Sequence, residues 1–184
     1  MKKLDDYSGQ FLPDLKLRDF SSKTLARLLG LYCQFYRALD GFWYLTVKER
    51  VSNEEALACD MRMWERLSRY EMANITKQLN IQGNDVTALM KAIQVTPWFQ
   101  EMQYKMETRN HNSTTLTITY CPILDALERE GEGREGEICN IVDHEVFKGY
   151  ASFLNPDIEV KCLKAPPRKS KDEICCQWEF CGDK

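Results

Sequence analysis

A chain of 184 residues with 43% hydrophobic and 29% charged side chains has the length and composition of one domain with a packed core of its own. Its net charge of −3 lacks the basic excess that marks a nucleic-acid footprint, and no apolar run approaches the roughly 18 residues of a membrane span. The start, Met1-Lys-Lys-Leu-Asp-Asp6, has no apolar signal-peptide core, so the expectation is a cytoplasmic protein that binds neither nucleic acid nor membrane.

Ser21 or Ser22 can cap a first helix that runs to about Lys48. Its apolar residues Leu25, Leu28, Tyr32, Phe35, Leu39 and Phe42 recur in steps of three and four, and Leu29, Tyr36 and Trp43 widen the stripe. Apolar residues of this helix left exposed would make a homodimer interface. Ser52-Asn-Glu-Glu55 has capping-box spacing and opens a second helix. Ala56, Cys59, Met63, Leu67, Tyr70 and Ile75 are its expected inner face. Asp85 caps a short third helix with Leu89, Met90 and Ile93, and Pro97 stops it.

After Trp98 the period changes to two. Met102, Tyr104 and Met106 form one row and Leu116, Ile118 and Tyr120 another, with the polar turn Asn110-His-Asn-Ser113 between them. The pattern predicts an antiparallel hairpin with Met106 near Ile118 if the register centres on Asn112. Cys121-Pro122 turns strand into helix, with Pro at the first helical position and Ile123, Leu124 and Leu127 inward. The stretch Glu130 to Glu137 lacks the ligand spacing of a calcium loop, so it reads as a solvated connector. A longer helix follows from Glu137 to Leu154, ended by Asn155-Pro156.

Ile158 to Phe180 closes the chain as a second hairpin around Pro166-Pro-Arg-Lys-Ser-Lys-Asp172. Symmetry about Lys169 sets Cys162 opposite Cys176, Val160 opposite Trp178 and Ile158 opposite Phe180, all on one face. The order of three helices, hairpin, two helices, hairpin implies a single α+β domain over residues 1–184. Residues 1–97 form a helical half. Residues 98–184 form a four-stranded antiparallel sheet packed with helices.

Eight cysteines with no export signal are expected reduced. Cys121 ends a strand, Cys139 opens a helix, and Cys162 and Cys176 face each other on the hairpin. Three outcomes stay open for these four: buried apolar thiols, a zinc or iron–sulfur site, or a reactive thiol. Cys121 and Cys139 are the catalytic candidates, because a helix N-terminus favours thiolate. His144 lies off the face of Cys139, and His111 sits in a turn, so a Cys–His pair is not expected. Asp143 could orient His144, although a solvated Asp–His pair is the plainer outcome.

Tryptophans come from both halves: Trp43, Trp64 and Trp98 from the helices and Trp178 from the sheet. An aromatic cleft between helices and sheet suits a small ligand, and Arg168 could approach an anionic group there. The expected pocket is Trp43, Trp64, Cys121, Cys139, Cys162, Cys176 and Trp178.

Cys121-Pro122, Cys139 with Asp143, Asn155-Pro156, Cys162-Leu-Lys-Ala-Pro-Pro167 and Cys176-Gln-Trp-Glu-Phe180 resemble an uncharacterised prokaryotic family with a C-x-x-x-P-P…C-x-W-x-F ending. The likeness extends over nearly the whole chain, with Trp43 and Trp64 in the first two helices; Cys175, Cys181 and the basic turn Arg168-Lys-Ser-Lys171 depart from it. More distantly the chain is similar to L-2-amino-thiazoline-4-carboxylate hydrolase-like proteins and to vinyl-4-reductase small-ligand-binding domains. That resemblance implies a helix-flanked antiparallel sheet and either ligand sensing or hydrolysis of a small heterocyclic or amide substrate. The function expectation is therefore a small-molecule-binding protein with such a hydrolase activity within reach. The alternative is a metal-holding module on Cys121, Cys139, Cys162 and Cys176.

Overall fold

Side chains start the helices where the sequence offers them. In the computed structural model, which describes residues 3–182, the Ser21 hydroxyl accepts from the Thr24 amide to open α1 (Ser22–Arg50). Ser52 does the same from Glu55 for α2 (Asn53–Gln78), and Asp85 from Ala88 for α3 (Val86–Ile93). A short 3-10 turn, Trp98–Gln100, leads into β1 (Gln103–Asn110) and β2 (Ser113–Tyr120).

Pro122 opens α4 (Pro122–Glu130), which ends on left-handed Gly131 at φ 74°. The next helical run has three parts: α5 (Glu135–Glu137), a π-helical segment (Ile138–Val142) and α6 (Asp143–Leu154). β3 (Glu159–Lys164) and β4 (Cys176–Cys181) complete one antiparallel sheet in the order β1-β2-β4-β3. The fold is mixed α+β with an N-terminal helical region, as expected.

The two central strands carry the core face. Thr114, Leu116 and Ile118 of β2 and Cys176, Trp178 and Phe180 of β4 are buried, while the residues between them are less so. Helix α6 lies over this face: the ring of Phe147 is 5.1 Å from that of Trp178 and 5.5 Å from that of Phe180. Helix α2 packs against α6 at Gly149, where a Cβ would come within 2.5 Å of Ser68 Oγ.

Both hairpins differ from the expected register. Met106 pairs with Leu116 rather than Ile118, and Cys162 pairs with Trp178 rather than Cys176. Each slip is two residues, which leaves every side chain on its predicted face, so alternation alone could not reveal it. In the second hairpin the register also shifts at an irregularity between Cys162 and Lys164.

The apolar stripe of α1 turns outward, and the inner face of α2 needs correction. Phe35, Leu39 and Phe42 are 56%, 70% and 69% exposed. The buried residues of α1 are instead Thr24, Cys33 and Tyr44. In α2 the buried row is Ala56, Asp60, Trp64, Ser68, Glu71 and Met72, about one residue round from the predicted Cys59, Met63, Leu67 and Tyr70. Buried hydrogen bonds account for part of this rotation, since Glu71 accepts from Tyr36 Oη of α1 at 2.8 Å and from Tyr150 Oη of α6. A carboxylate satisfied by two tyrosines can sit where a hydrophobic residue was expected.

Candidate functional site

Between the helices and the sheet lies a cavity of about 70 Å³, room for several waters or a small organic group. Its apolar walls come from Trp64 of α2, Trp98 and Phe99 of the 3-10 turn, Ile118 of β2, and Val142, Phe147 and Tyr150 around α6. The rings of Trp64 and Trp98 are 5.2 Å apart. Pro166 and Cys175 close it from the β3–β4 loop. That loop is tied to α4 by Arg168, whose Nε and Nη2 donate to the two carboxylate oxygens of Glu128 at 2.6 and 2.9 Å. Arg168 is thus a staple beneath the loop and not a ligand group in the cavity.

Three carboxyl groups line the cavity: Asp40 from α1, Asp60 from α2 and Asp143 from the start of α6. Among the described residues none of the three takes part in an ion pair. Burial pushes Asp40 up to about 6. Burial, with the charges of Asp40 and Asp143 behind it, pushes Asp60 up to about 7. Burial likewise raises Asp143 to about 7, against a lowering hydrogen bond from Cys139. The sequence pairing of Asp143 with His144 does not form. His144 leaves the cavity, stacks on Trp178 with ring centres 6.0 Å apart, and has Glu145 as its carboxylate neighbour at 3.6 Å.

Four thiols also reach the cavity: Cys121, Cys139, Cys175 and Cys176. All eight cysteines are free. Cys121 is the N-cap of α4 and its Sγ accepts from the Leu124 amide at 3.5 Å, the contact expected to favour thiolate. Burial nevertheless dominates and pushes its thiol up to about 12. Burial raises Cys139 and Cys176 too, with Asp143 adding to both. Burial thus disfavours the thiolate that a nucleophilic role for Cys121 or Cys139 would need.

Of the predicted pocket, Trp64, Cys121, Cys139 and Cys176 converge. Cys162 does not: it sits exposed on the edge strand β3, where one flank has no neighbouring strand to cover it. Trp43 is 59% exposed and lies in an outer groove with Met63, Leu67 and Tyr70. Trp178 is fully buried but sealed under Phe147 and His144. Among the described residues no group of three or more His, Cys, Asp or Glu is arranged to hold a metal ion, so the four-thiol metal centre finds no geometric support. The acidic connector is also accounted for: Glu130 pairs with Lys48 at 3.1 Å and with Arg134 at 2.6 Å.

What sequence reasoning missed is the carboxyl trio. One signal was available for Asp60. Ala56, Asp60 and Trp64 stand four apart, so an aspartate shared a helix face with a large aromatic. The π-helical segment, a feature often found at functional sites, leaves no such trace. Outside the cavity, a wider cleft of about 580 Å³ opens between α1 and α4 and shares Asp40, Asp60, Ile123 and Ile138 with it.

A family model described as "Family of unknown function (DUF6125)" matches residues 18–182, from before α1 to the end of β4. No curated protein and no solved structure matches the chain. Among the described residues no helix is long and apolar enough to cross a membrane.

Proposed function

The chain belongs to the DUF6125 family, and for the cavity built by this fold we propose the binding of a small molecule. The carrying observation is an aromatic-walled space that receives three carboxyl groups without an ion-pair partner. Apolar walls with a few convergent polar groups are the usual make-up of a ligand site. Trp64 hydrogen-bonds Asp60 and Cys139 hydrogen-bonds Asp143, but burying a carboxylate without a counter-charge is costly, and a bound ligand can supply that charge.

The test uses Trp64 and Trp98, which line the space. A panel of small metabolites should include at least one that gives a saturable change in tryptophan fluorescence. Val146→Phe, which adds volume to the lining, should abolish that change while the far-ultraviolet circular dichroism stays native. A panel without any response, or a response that survives Val146→Phe, would overturn the assignment.

Hydrolysis of a small heterocyclic or amide substrate is supported by one further observation. Asp60 and Asp143 are each raised to about 7, chiefly by burial, and the charge of Asp143 adds to the rise at Asp60. At neutral pH such a set holds protonated and ionised members together, which is the requirement for an acid and a base. The ionised carboxylate would take a proton from the attacking water while the protonated one gives its proton to the leaving nitrogen. Mass spectrometry of panel compounds after incubation should show addition of one water, lost in Asp60→Asn and Asp143→Asn. Unchanged turnover in both variants would rule the pair out.

A further inference from the structure

We propose that the ligand of this cavity is an organic cation, a small molecule with a protonated amine head and an apolar body. The proposal rests on the small-molecule reading of the same site and adds the ligand's charge. Asp60 is only 7% exposed, lines the cavity, and accepts a hydrogen bond from Trp64, but has no cationic side chain paired with it among the described residues. Asp40 and Asp143 reach the same space from two other helices. Trp64 and Trp98 line the same cavity, and aromatic faces attract ammonium groups in desolvated places. An anion would meet three carboxyl groups here, and a neutral body would leave all three without a counter-charge.

The two spaces share Asp40, Asp60, Ile123 and Ile138 as lining, and the ligand would divide between them. The inner cavity has room for a small head group, whereas the α1–α4 cleft has the volume of a drug-sized pocket. Asp40 and Asp60 stand on the boundary between them. Ala38, Leu45 and Ala126 give the cleft apolar wall, and its three arginines are already engaged: Arg37 with Glu101 at 2.9 Å, Arg129 with Asp125 at 3.3 Å and Arg134 with Glu130 at 2.6 Å. A positive head past the two aspartates and an apolar body in the cleft is the arrangement these surfaces favour.

Three probes with one body separate charge from shape: benzylamine, benzyl alcohol and benzoate, titrated calorimetrically against the full chain. Benzylamine should bind at least about tenfold tighter than benzyl alcohol near pH 8. The preference should shrink several-fold near pH 5.5, where Asp40, Asp60 and Asp143 take up protons while benzylamine stays charged; the cavity thiols remain neutral throughout. Asp60→Asn should shrink it at about pH 8 as well, and Asp143→Asn serves as a second, independent removal. Equal or tighter binding of the alcohol or of benzoate would overturn the charge assignment and leave a small-molecule site standing. Absence of benzylamine binding up to about 10 mM would also overturn it, with the metabolite panel deciding the wider reading separately.

A different observation carries a second proposal: the outer face of α1 is an interface with a second copy of this chain. Leu25, Leu28, Tyr32, Phe35, Leu39 and Phe42 follow the three-four spacing of a coiled-coil seam without a break. From Tyr32 onward they are exposed. The apolar face continues across Trp43 to Tyr70 of α2, which is 67% exposed. Tyr32, Phe35, Leu39, Phe42 and Trp43, with Leu29 and Leu31 beside them and Tyr70 across from them, are 39–70% exposed. Eight side chains at on the order of 100 Å² apiece present roughly 800 Å². That exceeds the usual largest patch of a monomer and matches what one partner contributes to a standard interface. A helix lying on lipid is bordered by Lys and Arg; Arg62 and Arg66 line the groove between Trp43 and Tyr70 together with Glu55, so this border carries both signs of charge, which a second copy can match.

Sedimentation at micromolar concentrations should show a dimer. The double variant Phe35→Lys with Leu39→Lys should be monomeric with unchanged helical circular dichroism, since both side chains point outward. A monomeric parent chain would overturn the proposal, as would a monomer that sediments with anionic vesicles.

Discussion

At Asp60 the competition between solvation and burial can be measured. The group holds its proton more tightly folded, at about 7, than its ordinary value of 3.8. Its contribution to stability is therefore fully present below about pH 4 and is lost as pH rises through 7. Asp60→Asn removes that loss. The variant should gain stability over the parent as pH rises from about 4 to 8, by up to roughly 4 kcal/mol at about 1.4 kcal/mol for each tenfold change in proton affinity. Urea unfolding at both pH values checks the sign, and a parent more stable than the variant at pH 8 contradicts it.

Thiol labelling reads the same physics at Cys162 and Cys139. Cys162 is exposed and should react first with a maleimide in the native state, whereas Cys139, Cys121 and Cys176 should wait for unfolding. Peptide mapping after partial labelling identifies the order.

Among the elements, α2 and α6 meet where Gly149 leaves no space for a side chain beyond hydrogen against Ser68. Gly149→Ala would gain helix propensity but must push Ser68 aside. Overpacking costs about 1–3 kcal/mol, more than the roughly 1 kcal/mol that Ala returns, so the variant should be less stable by thermal unfolding. Because Asp60 and Trp64 precede Ser68 on α2, and Asp143 precedes Gly149 on the α6 side, this contact also sets the spacing of the cavity walls. The β3–β4 loop depends on a different bond. Arg168→Ala would leave Glu128 without its bidentate partner and uncover the cavity beside Cys175. A loss of about 2 kcal/mol and faster native labelling of Cys175 are the expected results.

Over the whole molecule, two groups of carboxylates oppose one another in pH. Pairing with Arg168 holds Glu128 below its ordinary 4.5, so its contribution is present above that value and lost as pH falls through and below it. The cavity trio has the reverse sign and favours the acid side. Without ligand, stability should peak between the two ranges, in weakly acid solution. A bound cation should move the optimum upward.

How much of this could be read in advance differs by level. Capping residues, proline placement and the change of period after Trp98 determined the elements and their order, because those signals act over three or four neighbouring residues. Alternation determined which strand residues face the core. It could not determine register, since a slip of two preserves every face. Helical periodicity found an apolar stripe on α1 and left open whether core or partner would cover it. Only the tertiary structure decided that the stripe turns outward and that Asp40, Asp60 and Asp143 turn in. Burial of a carboxyl group is decided by what arrives opposite it from distant parts of the chain, and no local pattern carries that information.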